Sequence, residues 1–183
     1  ASPVADKLRQ RYPNAIIDWV VETKSKDVIV GNSNLDKVMI WERKEWVEDI
    51  KKAGDYRLIY QRLATFVKQL RQRSYDLAID LQGLMRSGLL AWLSGAPWRV
   101  CYTDTRELSP FFANIKIQPN YEQDINVKHR YVGLLRFLGI DTTNLHMQMP
   151  LTASDHDFAN NFIVQNSLTT KKYIVLNPAT SWQ

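Results

Sequence analysis

Amide and guanidinium side chains follow a predicted strand in the middle of the sequence, at positions suited to binding a polar or acidic ligand. Gln82, Gly83 and Arg86 come shortly after the largely apolar segment 76–80. The amide of Gln82 can both donate and accept hydrogen bonds, as sugar hydroxyls require, and Gly83 has no Cβ to keep a ligand from the backbone. Arg86 and the later Arg106 can each bind a carboxylate or phosphate through two parallel hydrogen bonds. Because the pattern is short, a simple turn at Gly83 with solvated arginines remains an alternative.

The segment WERKEW, residues 41–46, places Arg43 and Lys44 between two tryptophans. Aromatic and basic side chains together suit sugar phosphates, single-stranded nucleic acid or a membrane interface. The competing interpretation is a surface loop in which Trp46 packs inward, and for Trp46 we favour that interpretation.

The sequence offers no pattern for a metal site or for an activated nucleophile. His129, His146 and His156 lack the i, i+4 spacing of a helical metal site, and Cys101 is the only cysteine. A single cysteine also excludes an internal disulfide. Neither a G-x-S-x-G nor a Walker A motif occurs. We therefore expect no metal.

Predicted strands alternate with predicted helices along the chain, which indicates an α/β fold with a parallel sheet and helices on both faces. In such a sheet, ligands bind at the carboxyl ends of the strands. The candidate residues above, and the segment 177–181, fall at such ends. Strands are expected at 15–22, 36–41, 76–80, 98–102 and 174–176, and helices from Ser2, at 55–73, after Gly83, at 126–139 and at 155–164.

Length and composition describe an ordinary globular chain. Its 183 residues suffice for one domain and part of a second, and 45% of them are hydrophobic. A net charge of +5 favours anionic partners. No apolar run reaches the ~20 residues needed to span a bilayer, and no secretory signal opens the chain. The cytoplasm is therefore the expected compartment.

Four segments resemble the heptosyltransferases of glycosyltransferase family 9. They are ASPVADKLRQRYPNAIIDWVVE, YDLAIDLQGLMRSGLLAWLSGAPWRVCY, HRYVGLLRFLGI and YIVLNPATSW, in the family's order. The resemblance implies a GT-B architecture, in which two Rossmann-like domains face each other across a cleft. It also implies transfer of heptose, with inversion, from ADP-heptose to the inner core of lipopolysaccharide. The donor is then a substrate, and no cofactor is expected.

The resemblance also implies how this sequence divides. Residues 1–168 would be the Rossmann-like acceptor-binding domain without its first strand, and residues 169–183 the first strand and loop of the donor-binding domain. The family's catalytic aspartate would lie upstream of Ala1, so we assign no catalytic residue and expect the fragment as given to be inactive. Asp80 lies on a buried strand and is expected to be structural.

The predicted site residues, from the residue pattern and the resemblance together, fall into an acceptor group and a donor group. The partners implied are the nucleotide-sugar donor and a lipid-anchored lipopolysaccharide acceptor, with peripheral contact at the inner face of the inner membrane. Two alternatives stay open: a GT-B enzyme for another sugar donor or glycan acceptor, and a non-catalytic module that binds anionic ligands or nucleic acid. Scattered basic residues without an RNA-binding signature argue against nucleic acid. The predicted acceptor residues are Arg43, Lys44, Gln82, Gly83, Arg86 and Arg106, and the predicted donor residues are Thr180 and Ser181.

Overall fold

The computed structural model describes residues 2–54, 56–105, 107–147, 149–168 and 173–174. Helices and strands alternate along these ranges, with two short 3-10 helices at Thr23–Val28 and Leu134–Leu138. The elements are α1 (Ser2–Arg11), β1 (Asp18–Glu22), β2 (Lys37–Trp41), α2 (Arg43–Ala53), α3 (Arg57–Arg71), β3 (Leu77–Ile79), α4 (Met85–Leu93), β4 (Trp98–Tyr102), α5 (Ser109–Phe112), β5 (Ile115–Ile117), α6 (Val127–Gly133) and α7 (Ala153–Gln165).

The chain divides into two compact units, residues 1–149 and 150–183. The second unit contains α7, which begins with a reciprocal cap: Asp155 N donates to Thr152 Oγ1, and Thr152 N donates to Asp155 Oδ2. The strand predicted at 174–176 falls largely outside the described residues, as does the whole segment 177–181. The domain boundary predicted at 168–169 therefore stays a prediction.

The strand pairs among the described residues of the first unit are all parallel. β1 pairs with β2 in one sheet, and β4 lies between β3 and β5 in another. Helices cover both faces, because the neighbouring residues Trp19 and Val20 of β1 pack into two different hydrophobic clusters. The α/β fold with helices on both faces of parallel strands is confirmed.

Each face of β1 meets its own group of helices. Val20 packs with side chains of α2, α3 and α4, including Trp46 and Phe66, whose rings meet edge to face at 6.0 Å. Trp19 packs with side chains of α1 and α6, including the fully buried Val132. Trp46 is 8% exposed, which confirms that it packs inward.

Side-chain contacts join the corresponding ends of β1 and β3. Tyr75, just before β3, donates from Oη to Asp18 Oδ2 at the start of β1, at 2.5 Å. Arg86, in the first turn after β3, approaches Glu22 at the end of β1, with 3.4 Å between Nε and Oε1. No backbone hydrogen bond joins the two strands within the described residues. The carboxyl ends of β1 and β3 therefore lie at one edge.

Three local features differ from or refine the sequence-based expectations. Arg43 and Lys44 lie in the first turn of α2, so the expected loop after β2 is a helix start. Three elements were not predicted: the 11-residue helix α2 and the short elements α5 and β5. The helix predicted to stop at Gly139 does so, with a 3-10 turn before the glycine and a positive φ of 67° at the glycine itself.

Replacing Trp46 with alanine should lower the free energy of unfolding by about 3–5 kcal/mol, because the change leaves a cavity beside Phe66. The matched control is Trp98→Ala, since Trp98 is 57% exposed and its loss should change stability by about 0.5 kcal/mol or less. Urea denaturation followed by circular dichroism measures both. Equal losses in the two variants would contradict the assigned core position of Trp46.

Candidate functional site

The turn after β3 is shaped by the carboxylate of Asp80, which is only 6% exposed. Its Oδ1 accepts hydrogen bonds from the backbone N–H groups of Gln82 at 3.0 Å and Gly83 at 2.9 Å. Its Oδ2 accepts one from Ser109 Oγ. A buried carboxylate needs such partners to offset the loss of its hydration. These contacts give Asp80 the structural role that the sequence predicted, and they explain why an aspartate precedes Gln-Gly.

Gly83 is required by its own backbone and by one close neighbour. Its φ is +66°, and a Cβ at this position would lie 2.5 Å from Thr105 Cγ2. The side chain of Thr105, in the segment after β4, therefore occupies the space that a Cβ would need. This contact ties the turn after β3 to the segment after β4.

A cavity of about 320 Å³ opens at the carboxyl ends of β3 and β4. Gln82, Gly83, Asp104 and Arg130 contribute polar groups to its wall. Such a mixture of hydrogen-bonding groups suits a hydroxylated and acidic ligand. The complete lining consists of Asp80, Leu81, Gln82, Gly83, Leu84, Tyr102, Asp104, Thr105 and Arg130.

Arg130 is a candidate site residue that the sequence analysis missed. Its Nη2 donates to Asp104 Oδ1 at 2.5 Å, and its guanidinium carbon lies 4.5 Å from the centre of the Tyr102 ring. It belongs to the last turn of α6, where the helix dipole favours a cation. An arginine is ordinary at such a position, so no pattern in the sequence singled it out.

A hydrogen-bonded network holds α6 against β4. The Tyr102 hydroxyl donates to the backbone carbonyl of Arg130 at 2.7 Å. Burial, followed by the charge of Asp124, raises the pKa of Tyr102, so its hydroxyl stays protonated. Asp124 in turn pairs with Arg136 at 2.5 Å. The hydrogen bond from Arg130 lowers the pKa of Asp104, which therefore remains a carboxylate at neutral pH.

Cationic side chains form a second group, around Glu22 at the end of β1. Arg86 Nε lies 3.4 Å and Arg43 Nε 4.0 Å from Glu22 Oε1, and Lys24 Nζ lies 3.9 Å from Oε2. The guanidinium carbon of Arg43 is 6.0 Å from the Trp41 ring centre. A cavity of about 40 Å³ adjoins this group and is lined by Glu22, Thr23, Lys24, Trp41, Lys44 and Glu45.

The structure thus places the described members of the predicted acceptor set in two groups, one at the larger cavity and one around Glu22. Gln82 and Gly83 line the larger cavity, and Arg86 follows them in the first turn of α4. Arg86 and Arg43 both approach Glu22. The alternative of solvated arginines, which concerned Arg86 and Arg106, therefore does not hold for Arg86. Lys44 lines the smaller cavity. Arg106, Thr180 and Ser181 lie outside the described residues.

In the part of the chain that the structure describes, no cluster of three or more histidine, cysteine or acidic side chains could hold a metal ion. The described helices also include none that is both long and apolar enough to cross a bilayer.

The family model for glycosyltransferase family 9 (heptosyltransferase) matches residues 63–183. The chain belongs to glycosyltransferase family 9. The matched segment includes the β3 turn, the larger cavity and the predicted donor loop. No curated protein matches the chain.

Solved structures from the same family share the fold. A family 9 glycosyltransferase from Veillonella parvula matches with a TM-score of 0.67 and 19% identity, over 93% of this chain and 46% of that one. The E. coli heptosyltransferase WaaC, solved with ADP-2-deoxy-2-fluoro heptose, matches with a TM-score of 0.65 and 24% identity. That match covers 80% of this chain and 46% of WaaC. E. coli ADP-heptose lps heptosyltransferase II matches with a TM-score of 0.55 and 18% identity, over 93% of this chain and 47% of that one. The chain thus spans about half the length of these structures.

Substituting Gly83 with alanine should reduce the free energy of unfolding by about 2–4 kcal/mol, from the unfavourable φ and the clash with Thr105 together. Gly54→Ala is the matched control, because Gly54 has a φ of +67° but no atom within 4 Å of an added Cβ. That control should lose only about 1–2 kcal/mol. Denaturant titration of both variants separates the two effects, and equal losses would refute the close approach of Thr105.

Asp104→Asn removes the ion pair with Arg130 and should lower stability at pH 7 by about 0.5–1 kcal/mol, as for a partly exposed pair. Folding lowers the pKa of Asp104 below its usual 3.8. The extra stability of the wild type over the variant is therefore fully present above pH 3.8, and it is lost as the pH falls through the lower pKa of the folded state. Urea titrations at pH 7 and at pH 3 measure the advantage, and a difference that stays constant between them would argue against the pair.

Proposed function

We propose that the protein containing this chain is an inverting glycosyltransferase that transfers heptose from ADP-heptose to the inner core of lipopolysaccharide. The observation that carries this proposal is the cavity between the ends of β3 and β4, lined by Gln82, Asp104 and Arg130. Amide and carboxylate oxygens can accept hydrogen bonds from sugar hydroxyls, and a guanidinium can donate to a sugar carboxylate. Membership of family 9 supports the reaction class.

The first unit would form the acceptor side of the enzyme. Gln82 and Gly83 at the larger cavity, and Arg43, Lys44 and Arg86 around Glu22, are our proposed acceptor residues. Arg106 is proposed on the resemblance alone. Lysine and arginine side chains at this edge suit an acceptor that carries acidic sugars. Thr180 and Ser181 are proposed to contact the donor diphosphate.

The proposed reaction is a direct displacement at the anomeric carbon of heptose. The acceptor hydroxyl oxygen forms the new bond while the bond to the ADP oxygen breaks, and ADP leaves with the electron pair. Attack from the face opposite ADP inverts the configuration. A base must take the hydroxyl proton, and we expect it to be the aspartate that the resemblance places before Ala1. Residues of this chain would bind and orient the acceptor.

The predicted domain organisation, 1–168 for acceptor binding and 169–183 for the start of the donor domain, is retained as part of this proposal. We also retain an acceptor that is lipid-anchored, with peripheral contact at the inner membrane.

The test is an ADP-release assay on the full-length protein, with ADP-heptose and a Kdo-terminated lipid acceptor. Arg130→Ala should raise the acceptor KM about 10- to 100-fold, as expected when a charged hydrogen bond is lost, and should leave the donor KM unchanged. Lys68→Ala, which removes an exposed cation of α3, is the control and should change neither constant.

Absence of ADP release from ADP-heptose, together with release from another nucleotide sugar, would favour the alternative of a GT-B enzyme with a different donor. An equal rise of both constants in the Arg130 variant would refute its assignment to the acceptor side. Binding of RNA with a steep dependence on salt, without any transfer, would support the nucleic-acid alternative instead.

A further inference from the structure

Glu22 is the meeting point of two arginines that arrive from different helices. Arg43 begins α2, and Arg86 lies in the first turn of α4. Both direct their Nε atoms at the same carboxylate oxygen, at 4.0 and 3.4 Å. The Glu22 side chain is 13% exposed, whereas the side chains of Arg43 and Arg86 are 38% and 35% exposed. The carboxylate therefore lies beneath the two guanidinium groups.

Several polar atoms of this group are buried without a hydrogen-bond partner among the described residues. They include Oε1 of Glu22, Nε of Arg43, Nε of Arg86 and Nε1 of Trp41. Leaving buried polar atoms unpaired costs free energy. Both guanidinium groups approach Glu22 through Nε. Their Nη atoms can therefore still donate hydrogen bonds to a carboxylate or phosphate of a ligand.

The charge balance of the group also favours an acidic ligand. Arg43, Arg86 and Lys24 oppose the single carboxylate of Glu22, so two positive charges remain unmatched. Glu22 itself repels an acidic ligand. Charge alone would therefore favour a neutral residue at this position, and the reason for a glutamate must be geometric.

We propose that Glu22 is a positioning residue, which fixes the spacing and orientation of Arg43 and Arg86 so that together they bind an acidic group of the acceptor. The inference rests on the proposed acceptor-binding function of the two arginines. Glu22, at the end of β1, was not among the candidate site residues predicted from the sequence.

The kinetic test compares Glu22→Gln with Glu48→Gln in the full-length protein. Each variant removes one negative charge, but Glu22 forms an ion pair with the arginines, whereas Glu48 is exposed on α2 and lines neither cavity. Positioning predicts that Glu22→Gln raises the acceptor KM about 10- to 100-fold and leaves the donor KM unchanged. Glu48→Gln should leave both constants unchanged. An unchanged or lower acceptor KM in Glu22→Gln would mean that Glu22 acts at most through its charge, and the proposal would fail.

A second readout does not depend on turnover. In protein labelled with 15N-arginine, Glu22→Gln should shift and broaden the Nε–H resonances of Arg43 and Arg86, which Arg43→Lys and Arg86→Lys identify. Glu48→Gln should leave both resonances in place. Unchanged resonances in the Glu22 variant would overturn the proposal even if the enzyme transfers heptose. Shifted resonances in a protein without transferase activity would support positioning and reject only the proposed function.

Glu22→Asp covers the case in which the glutamine variant does not fold. Aspartate keeps the charge but withdraws the carboxylate by one methylene from Arg43 and Arg86. The positioning role again predicts a raised acceptor KM, whereas an unchanged value would contradict it.

Discussion

The carboxylate of Asp80 organises the edge on which the candidate site is built. It accepts hydrogen bonds from two consecutive backbone amides of the turn, at Gln82 and Gly83, and from the side chain of Ser109 in α5. A buried carboxylate tolerates little displacement of these partners, because each lost hydrogen bond leaves charge uncompensated in a poorly solvated place. The end of β3, the turn and α5 are thereby held in one arrangement.

Two groups of cationic side chains lie at this edge, and they differ in net charge. Arg130 in the larger cavity is neutralised by Asp104, so this pair presents both a donor and an acceptor to a ligand. Around Glu22 the cations exceed the anions, so that group presents positive charge. An acceptor with both hydroxyl and acidic groups would use the two environments differently. Arg86 connects them, since it follows the β3 turn and reaches Glu22.

Much of the fold was predictable because long periodic segments and buried strands leave strong patterns. The helix at Arg57–Arg71 and the parallel order of strands and helices follow from such patterns. Short elements carry too few residues for a pattern, which is why Ser109–Phe112 and Ile115–Ile117 were not predicted. Arg43 was expected in a loop because local composition does not reveal that α2 begins at that residue.

The sequence by itself determined the family, the alternation of strands and helices, and the strand end with Gln82 and Gly83 as a candidate site. Only the tertiary structure decided which side chains meet there. Arg130 pairs with Asp104 across 26 positions of the chain, and Glu22 gathers arginines from two separate helices. Such contacts depend on how elements pack in space, and the local periodicity that a sequence displays carries no information about partners so far apart.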